Sequence, residues 1–135
     1  MNPEFKFAAV DEGAIRQLVE VFYGKIKRDP GLGPIFEAAV SRSPGGWAPH
    51  LQTMTSFWSS VVLGAGSYRG NPMKAHFRLP HFELALFERW LSLFSETAHE
   101  LFEPNAAAIF VNRSRVMAAK LREGLEMHRA GKLPE

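Results

Sequence analysis

Pro72 and Pro80 bracket the stretch Met73-Lys-Ala-His76-Phe-Arg-Leu79 and leave room for about two turns of helix between them. Proline fixes φ and carries no backbone N–H, so it starts a helix well and interrupts one already running. His76, near the middle of that short segment, therefore has little freedom to drift. Just downstream, Phe87-Glu-Arg-Trp90-Leu-Ser-Leu-Phe94 sets rings along one helical face. A histidine presented so rigidly beside apolar rings suits a single axial bond to the metal of a flat cofactor. The same local pattern fits a solvent-facing histidine on a connector. The rest of the chain has to separate these two possibilities.

Apolar residues recur at helical intervals along most of the chain. Ile15, Leu18, Val19, Phe22 and Ile26 form a stripe closed by Arg28-Asp29-Pro30-Gly31, which predicts a helix over residues 12–28. A turn at Gly31-Leu-Gly33-Pro34 leads into a short irregular or helical piece, and Ser41-Arg-Ser43-Pro44-Gly45-Gly46 reads as a loop. The next helix carries Trp47, His50, Met54, Phe57 and Val61 on one face and stops at Leu63-Gly64. Pro49 is expected to kink that helix or delay its start. Residues 64–72 read as a mobile connector. After Pro80 comes a helix with Phe82, Leu86, Phe87, Trp90, Leu91, Phe94, Ala98 and Leu101. After Pro104 a last one carries Phe110, Met117, Leu121 and Leu125, capped by Glu103 or Asn105. No stretch alternates with period two between hairpin turns, so the pattern predicts an all-α fold. A single domain over residues 1–135 is expected, with frayed ends at about 1–10 and 129–135.

A domain of this size can bury a cofactor-sized core. Eleven Phe and three Trp against two Tyr supply more flat rings than aliphatic packing needs. The absence of cysteine excludes disulfides, thiolate sites and iron–sulfur clusters, which leaves histidine as the expected ligand for a transition metal. Sixteen basic and fourteen acidic residues are interspersed, giving a net charge of +2, so no nucleic-acid partner is expected. Residues 1–7 lack the apolar run of a signal peptide, and no stretch approaches the ~18 apolar residues of a membrane span. A cytoplasmic protein with no membrane partner is expected. Gly64, Gly66 and Gly70 have the wrong spacing for a phosphate-binding loop. There is no His-Glu-x-x-His, no serine nucleophile elbow and no evident pair of buried carboxylates, so hydrolytic catalysis has no support.

Four residues able to donate hydrogen bonds or bind metal remain, on four separate segments: Tyr23, His50, His76 and Trp90. Tyr23 continues the first stripe, eight residues past Ile15, so its hydroxyl points inward and needs a partner. Taken alone it also fits a core tyrosine bonded to a backbone carbonyl. His50 lies four before Met54 and turns its imidazole toward the core, or else it is a satisfied first-turn histidine. Trp90 lies between Phe87 and Phe94 at helical spacing and fits either a pocket wall or ordinary packing.

Phe22-Tyr23, Leu32-Gly-Pro34-Ile-Phe36, Trp47-x-x-His50, Phe57-Trp58, Tyr68-x-Gly70-x-Pro72, His76-x-x-Leu79-Pro80 and Phe87-x-x-Trp90-Leu-x-Leu-Phe94 run in order from about residue 10 to 128. In these residues and their spacing the chain strongly resembles the bacterial group III truncated haemoglobins. The resemblance implies a shortened globin fold around haem b, with His76 as the proximal iron ligand and Tyr23, His50 and Trp90 lining the distal side. It implies Phe36 on the porphyrin face, Met54 and Phe57 on the distal helix, and Met73 and Phe87 as apolar walls. Either Lys74 or Arg78 would reach a haem propionate. The ligands implied are dioxygen, nitric oxide, carbon monoxide or peroxide, with an unidentified reductase as partner and a monomer as default. Inward O–H and N–H donors stabilise a ligand that gathers negative charge, each by about 1 to 3 kcal/mol. Tyr23 and Trp90 are the donors expected, as one network, with His50 as donor, gate or transient iron ligand. Oxygen binding is the primary implication, and nitric-oxide dioxygenase or peroxidase-like chemistry is equally compatible with several donors. The alternative is a cofactor-free helical module that binds a partner or an apolar ligand, in which the inward Tyr, His and Trp are ordinary core residues.

Overall fold

The first stripe folds as α1 (Glu12–Arg28), and its Ile15, Leu18, Val19, Phe22 and Ile26 are all buried in the computed structural model, which describes residues 5–77, 79 and 81–131. Asp11 starts the helix: its carboxylate accepts from the Ala14 N–H at 2.8 Å, satisfying one of the four donors that a helix start leaves unpaired. Then come α2 (Leu32–Ser41), α3 (Trp47–Leu63), α4 (Pro72–Phe77), α5 (Leu86–Leu101) and α6 (Pro104–Arg129). Among the described residues the only β-pairing is one isolated bridge, so the fold is all-α as the periodicity predicts. No helix among them is long and apolar enough to cross a membrane.

The core is built largely from rings. Phe22, Phe94, Phe102 and Phe110 are fully buried, and Phe94 is stacked between Trp58 at 4.9 Å and Trp90 at 5.1 Å. Each such ring contributes about 1.5 to 3 kcal/mol by leaving water, so this cluster is what clamps α1, α3, α5 and α6 together. The corner between α1 and α2 is fixed by one buried acid. Asp29 accepts from the backbone N–H of Leu32 at 2.9 Å and of Gly31 at 3.1 Å, and its other oxygen accepts from Arg89 Nε on α5 at 2.7 Å. The Leu32 N–H, followed by the Arg89 guanidinium, holds this carboxyl below its usual pKa.

Several local expectations change. Pro49 neither kinks α3 nor delays it: the helix begins at Trp47, which puts Pro49 in the first turn, where no intrahelical N–H is required. Gly45 and Gly46, at φ of 84° and 70°, turn the chain into that helix, and a Cβ on Gly45 would meet the Pro49 ring at 2.7 Å. The helix that follows residue 80 starts late, at Leu86, because residues 83–87 form a turn with Leu86 N–H donating to Glu83 C=O at 2.9 Å. Phe82 lies outside the helix and packs on Phe87 at 5.9 Å, beneath the Arg129 guanidinium. Glu103 is the residue before α6 but makes no side-chain cap; Pro104 at the first helical position does without the donor a cap would satisfy. The connector read as mobile is tethered, since the Tyr68 N–H donates to the Ser60 hydroxyl at 3.0 Å and the Tyr68 ring meets Phe57 edge-on at 5.1 Å. Near the N-terminus, where fraying is expected, Phe7 donates to Leu101 C=O at 2.8 Å and accepts from Glu103 N–H at 2.9 Å.

Candidate cofactor and ligand site

The short helix α4 holds His76 by its own backbone. Nδ1 lies 2.7 Å from the carbonyl oxygen of Pro72, one turn earlier. A carbonyl can only accept, so the proton sits on Nδ1 and the lone pair is on Nε2, the arrangement a metal-binding imidazole needs. Burial lowers the His76 pKa, an effect partly opposed by the bond to Pro72, and the ring is neutral at pH 7. One face lies nearly parallel to the Phe87 ring, 6.3 Å away at 20°. α4 packs on α6, and the contact is close: a Cβ on Gly124 would come within 2.5 Å of the Met73 sulfur. Met73, expected as a wall of the cofactor site, thus lies against α6. Lys74 is exposed, with its backbone N–H bonded to Asn71 Oδ1 at 3.1 Å. Arg78 and Pro80 lie outside the described residues.

A second cluster gathers where α1, α2 and α3 meet. The Tyr23 ring contacts His50 at 5.1 Å, Phe36 at 5.7 Å and Trp47 at 6.1 Å, and Trp47 meets His50 edge-on at 5.6 Å. Tyr23 is 4% exposed, and burial raises its pKa well above the usual phenol value, so the hydroxyl keeps its proton as a donor. Burial likewise lowers the His50 pKa. Its Nε2 is buried without a hydrogen-bond partner among the described residues. Leaving such an atom unpaired costs about 1 to 3 kcal/mol, a cost that a ligand able to accept or donate there would remove.

The structure brings Tyr23, His50 and Phe36 together but holds Trp90 apart. Trp90 is half-buried, stacked on Phe94 and edge-on to Phe22 at 5.1 Å, and Phe22 in turn meets Tyr23 at 5.0 Å. Phe22 therefore stands between the two expected donors. Met54 and Phe57 are half-buried on α3 and pack against the core. Two contributors escaped the sequence reading. The sequence shows Trp47 in the α3 stripe and in the Trp47-x-x-His50 motif, one turn before His50 on the same face, but gives it no role in the site. Tyr68 belongs to the connector and to the Tyr68-x-Gly70-x-Pro72 motif, and its phenol occupies the space where a Gly70 side chain would be.

A surface cleft of about 480 Å³, between the flank of α3 and the α3–α4 connector, is lined by Pro49, Gln52, Thr53, Ser56, Ser67, Tyr68, Arg69 and Gly70. It contains none of Tyr23, His50, His76 or Trp90. Among the described residues no three His, Asp or Glu side chains gather to hold a bare ion. His76 offers one bond, which suits a metal that brings most of its ligands with it.

Comparison with known proteins gives a consistent answer. The chain is 34% identical over 120 residues to the group 3 truncated hemoglobin ctb of Campylobacter jejuni, covering 89% of this chain and 94% of that protein. Its fold superimposes on the crystal structure of the group III truncated hemoglobin from Campylobacter jejuni with a TM-score of 0.83, over 88% of this chain and 94% of the other. No protein-family model matches the chain.

Proposed function

The chain belongs to the group III truncated haemoglobins, and from that premise we propose that it holds haem b through His76 and presents a diatomic ligand to Tyr23 and His50. The observation that carries this reading is a pair of polar groups the fold leaves unused. His76 is locked with its Nε2 lone pair available, and the His50 Nε2 is buried without a partner among the described residues, on a ring that meets the Tyr23 ring edge-on at 5.1 Å. Neither arrangement serves packing. Both fit a group that would take one nitrogen from the protein and carry a small polar ligand.

The haem iron, when bound, supplies reversible coordination of dioxygen, nitric oxide or carbon monoxide. The chain's own residues supply everything else. His76, oriented by Pro72 with Phe87 stacked beside its imidazole, would hold the iron through its Nε2 lone pair. Phe36, Met54 and Phe57 exclude water with apolar surface, and Lys74 or Arg78 is the cation proposed for a propionate. Tyr23 donates its phenolic proton in a hydrogen bond to a ligand atom that gathers negative charge, without giving the proton up. His50, neutral under the same conditions, adds a second donor or accepts from the ligand. Trp90, behind Phe22, shapes the chamber from α5.

Two adjacent polar groups favour a second use of the same chamber, turnover of nitric oxide or peroxide, because they polarise an oxygen–oxygen bond better than one donor does. We place the protein in the cytoplasm as a monomer, with a reductase as electron source where turnover is required. Titration of the purified chain with haemin tests the reading. An intense Soret band in the wild type that is lost or shifted in His76→Ala supports it. A folded chain that stays colourless and refuses haemin returns the cofactor-free helical module.

A further inference from the structure

We infer that Trp47 is a positioning residue for His50, holding the imidazole at the solvent side of the Tyr23 cluster, and that Glu37 and Lys27 set how firmly it does so. Three helices converge on this one indole. Its Nε1–H donates to the Glu37 carboxylate of α2 at 3.3 Å, the Lys27 ammonium from the end of α1 lies 4.4 Å over its ring, and its ring meets His50 edge-on at 5.6 Å. Lys27 and Glu37 are exposed whereas Trp47 and His50 are half-buried, so the indole lies between the surface charges and the imidazole. The His50 Nε2 makes no hydrogen bond among the described residues, so ring packing against Tyr23 and Trp47 sets the orientation of the imidazole. Trp47 is the member of that pair that the surface can influence. A hydrogen bond to an exposed carboxylate and a cation over an exposed ring are each weak, and the loss of either changes an equilibrium by a factor of about two to five. Weak contacts suit a latch that has to open in each binding event.

This inference rests on the proposed ligand chamber, and the test separates the two. Carbon monoxide association and dissociation rates are measured by flash photolysis on the haem-loaded protein for Lys27→Ala, Glu37→Ala and Glu37→Gln, each with His50 present and with His50→Ala. Histidine-ring ¹⁵N spectra of the same purified proteins, in the carbon monoxide form where they carry haem, report the His50 ring directly. Lys27→Ala and Glu37→Ala are expected to raise association about two- to fivefold with dissociation unchanged, while Glu37→Gln, which keeps an acceptor for the indole, stays near wild type. Both increases should vanish in the His50→Ala background, and the His50 ring signals should shift or broaden only in the variants that release Trp47. Increases that persist without His50 would overturn the inference, as would unchanged rates. Should no Soret band form, the functional reading fails, and the ring spectra still decide: His50 signals unmoved in Glu37→Ala would overturn the positioning role.

Discussion

The Pro72 carbonyl oxygen and His76 Nδ1 lie 2.7 Å apart across one turn of α4, which fixes both the tautomer and the rotation of the imidazole. The helix is short, so this bond does what a longer helix or a second-sphere carboxylate would otherwise do. His76→Ala should abolish the protein-derived iron bond, because the chain has no cysteine to replace it. Its haem content should fall sharply, and free imidazole in the buffer should restore part of the ferrous spectrum by occupying the vacated space. Resonance Raman reads the iron–histidine stretch directly. An unaltered stretch in His76→Ala would remove His76 from the site.

Some helix ends follow signals carried by neighbouring residues. α1 ends where Arg28-Asp29-Pro30 says it should, and α3 ends at Gly64, whose φ of 69° suits a left-handed cap. The start of α5 was not legible, because Leu84-Ala-Leu86 is continuous apolar sequence and no capping side chain marks the boundary. Pro72 announces the rigid setting of His76, since a proline constrains its own neighbourhood. Trp47 could not be placed from sequence, because its significance comes from Glu37, ten residues away, and Lys27, twenty away. Likewise the buried Asp29 looks like an ordinary turn residue until Arg89 arrives from α5.

Acid should destabilise the chain through two histidines with the same sign. Burial holds His50 and His76 below the usual value of 6.5, so the folded state keeps both neutral while the unfolded chain takes up protons as pH falls through that value. The contribution is fully present above pH 6.5 and is lost as pH falls through the folded-state values. Asp29, whose carboxyl is held below its usual range, stays charged through this window and does not interfere. Urea midpoints of the haem-free protein should therefore fall from pH 7 to pH 5, and the slope should flatten in His50→Gln/His76→Gln. A wild-type midpoint that rose over this range would contradict the burial of both rings.

Gly124→Ala separates helix propensity from seating of the site. Alanine favours the interior of α6 by about 1 kcal/mol, but its Cβ would come within 2.5 Å of the Met73 sulfur. The thioether is flexible and can swing aside, so global stability should change by less than about 1 kcal/mol. The displaced Met73 lies three residues before His76 on the same short helix, so α4 should reseat. Haem affinity or the iron–histidine stretch should shift while the urea midpoint stays nearly constant. A variant indistinguishable from wild type by both measurements would mean that Met73 does not fix the position of α4.

Oxygen release tests how the donors share the ligand. Tyr23 and Trp90 are expected from sequence to form one network, but Phe22 lies between them, touching each ring at about the same distance, 5.0 and 5.1 Å. Tyr23 instead meets His50 directly at 5.1 Å. Tyr23→Phe keeps the ring packing and removes the hydroxyl, which should cost on the order of 1 to 3 kcal/mol, or about a factor of 5 to 150 in oxygen dissociation rate. Groups in contact couple, whereas groups separated by a third side chain add. Stopped-flow release for Tyr23→Phe, His50→Ala and Trp90→Phe, singly and in pairs, should therefore show clear non-additivity for Tyr23 with His50. Near-additivity, within about 0.5 kcal/mol, is expected for Tyr23 with Trp90. Carbon monoxide is the less polar control, and its release should respond less than that of oxygen in every variant that loses a donor. The reverse pattern, with Tyr23 coupled to Trp90 and independent of His50, would mean that Phe22 moves aside when ligand binds and that the chamber is organised around α5.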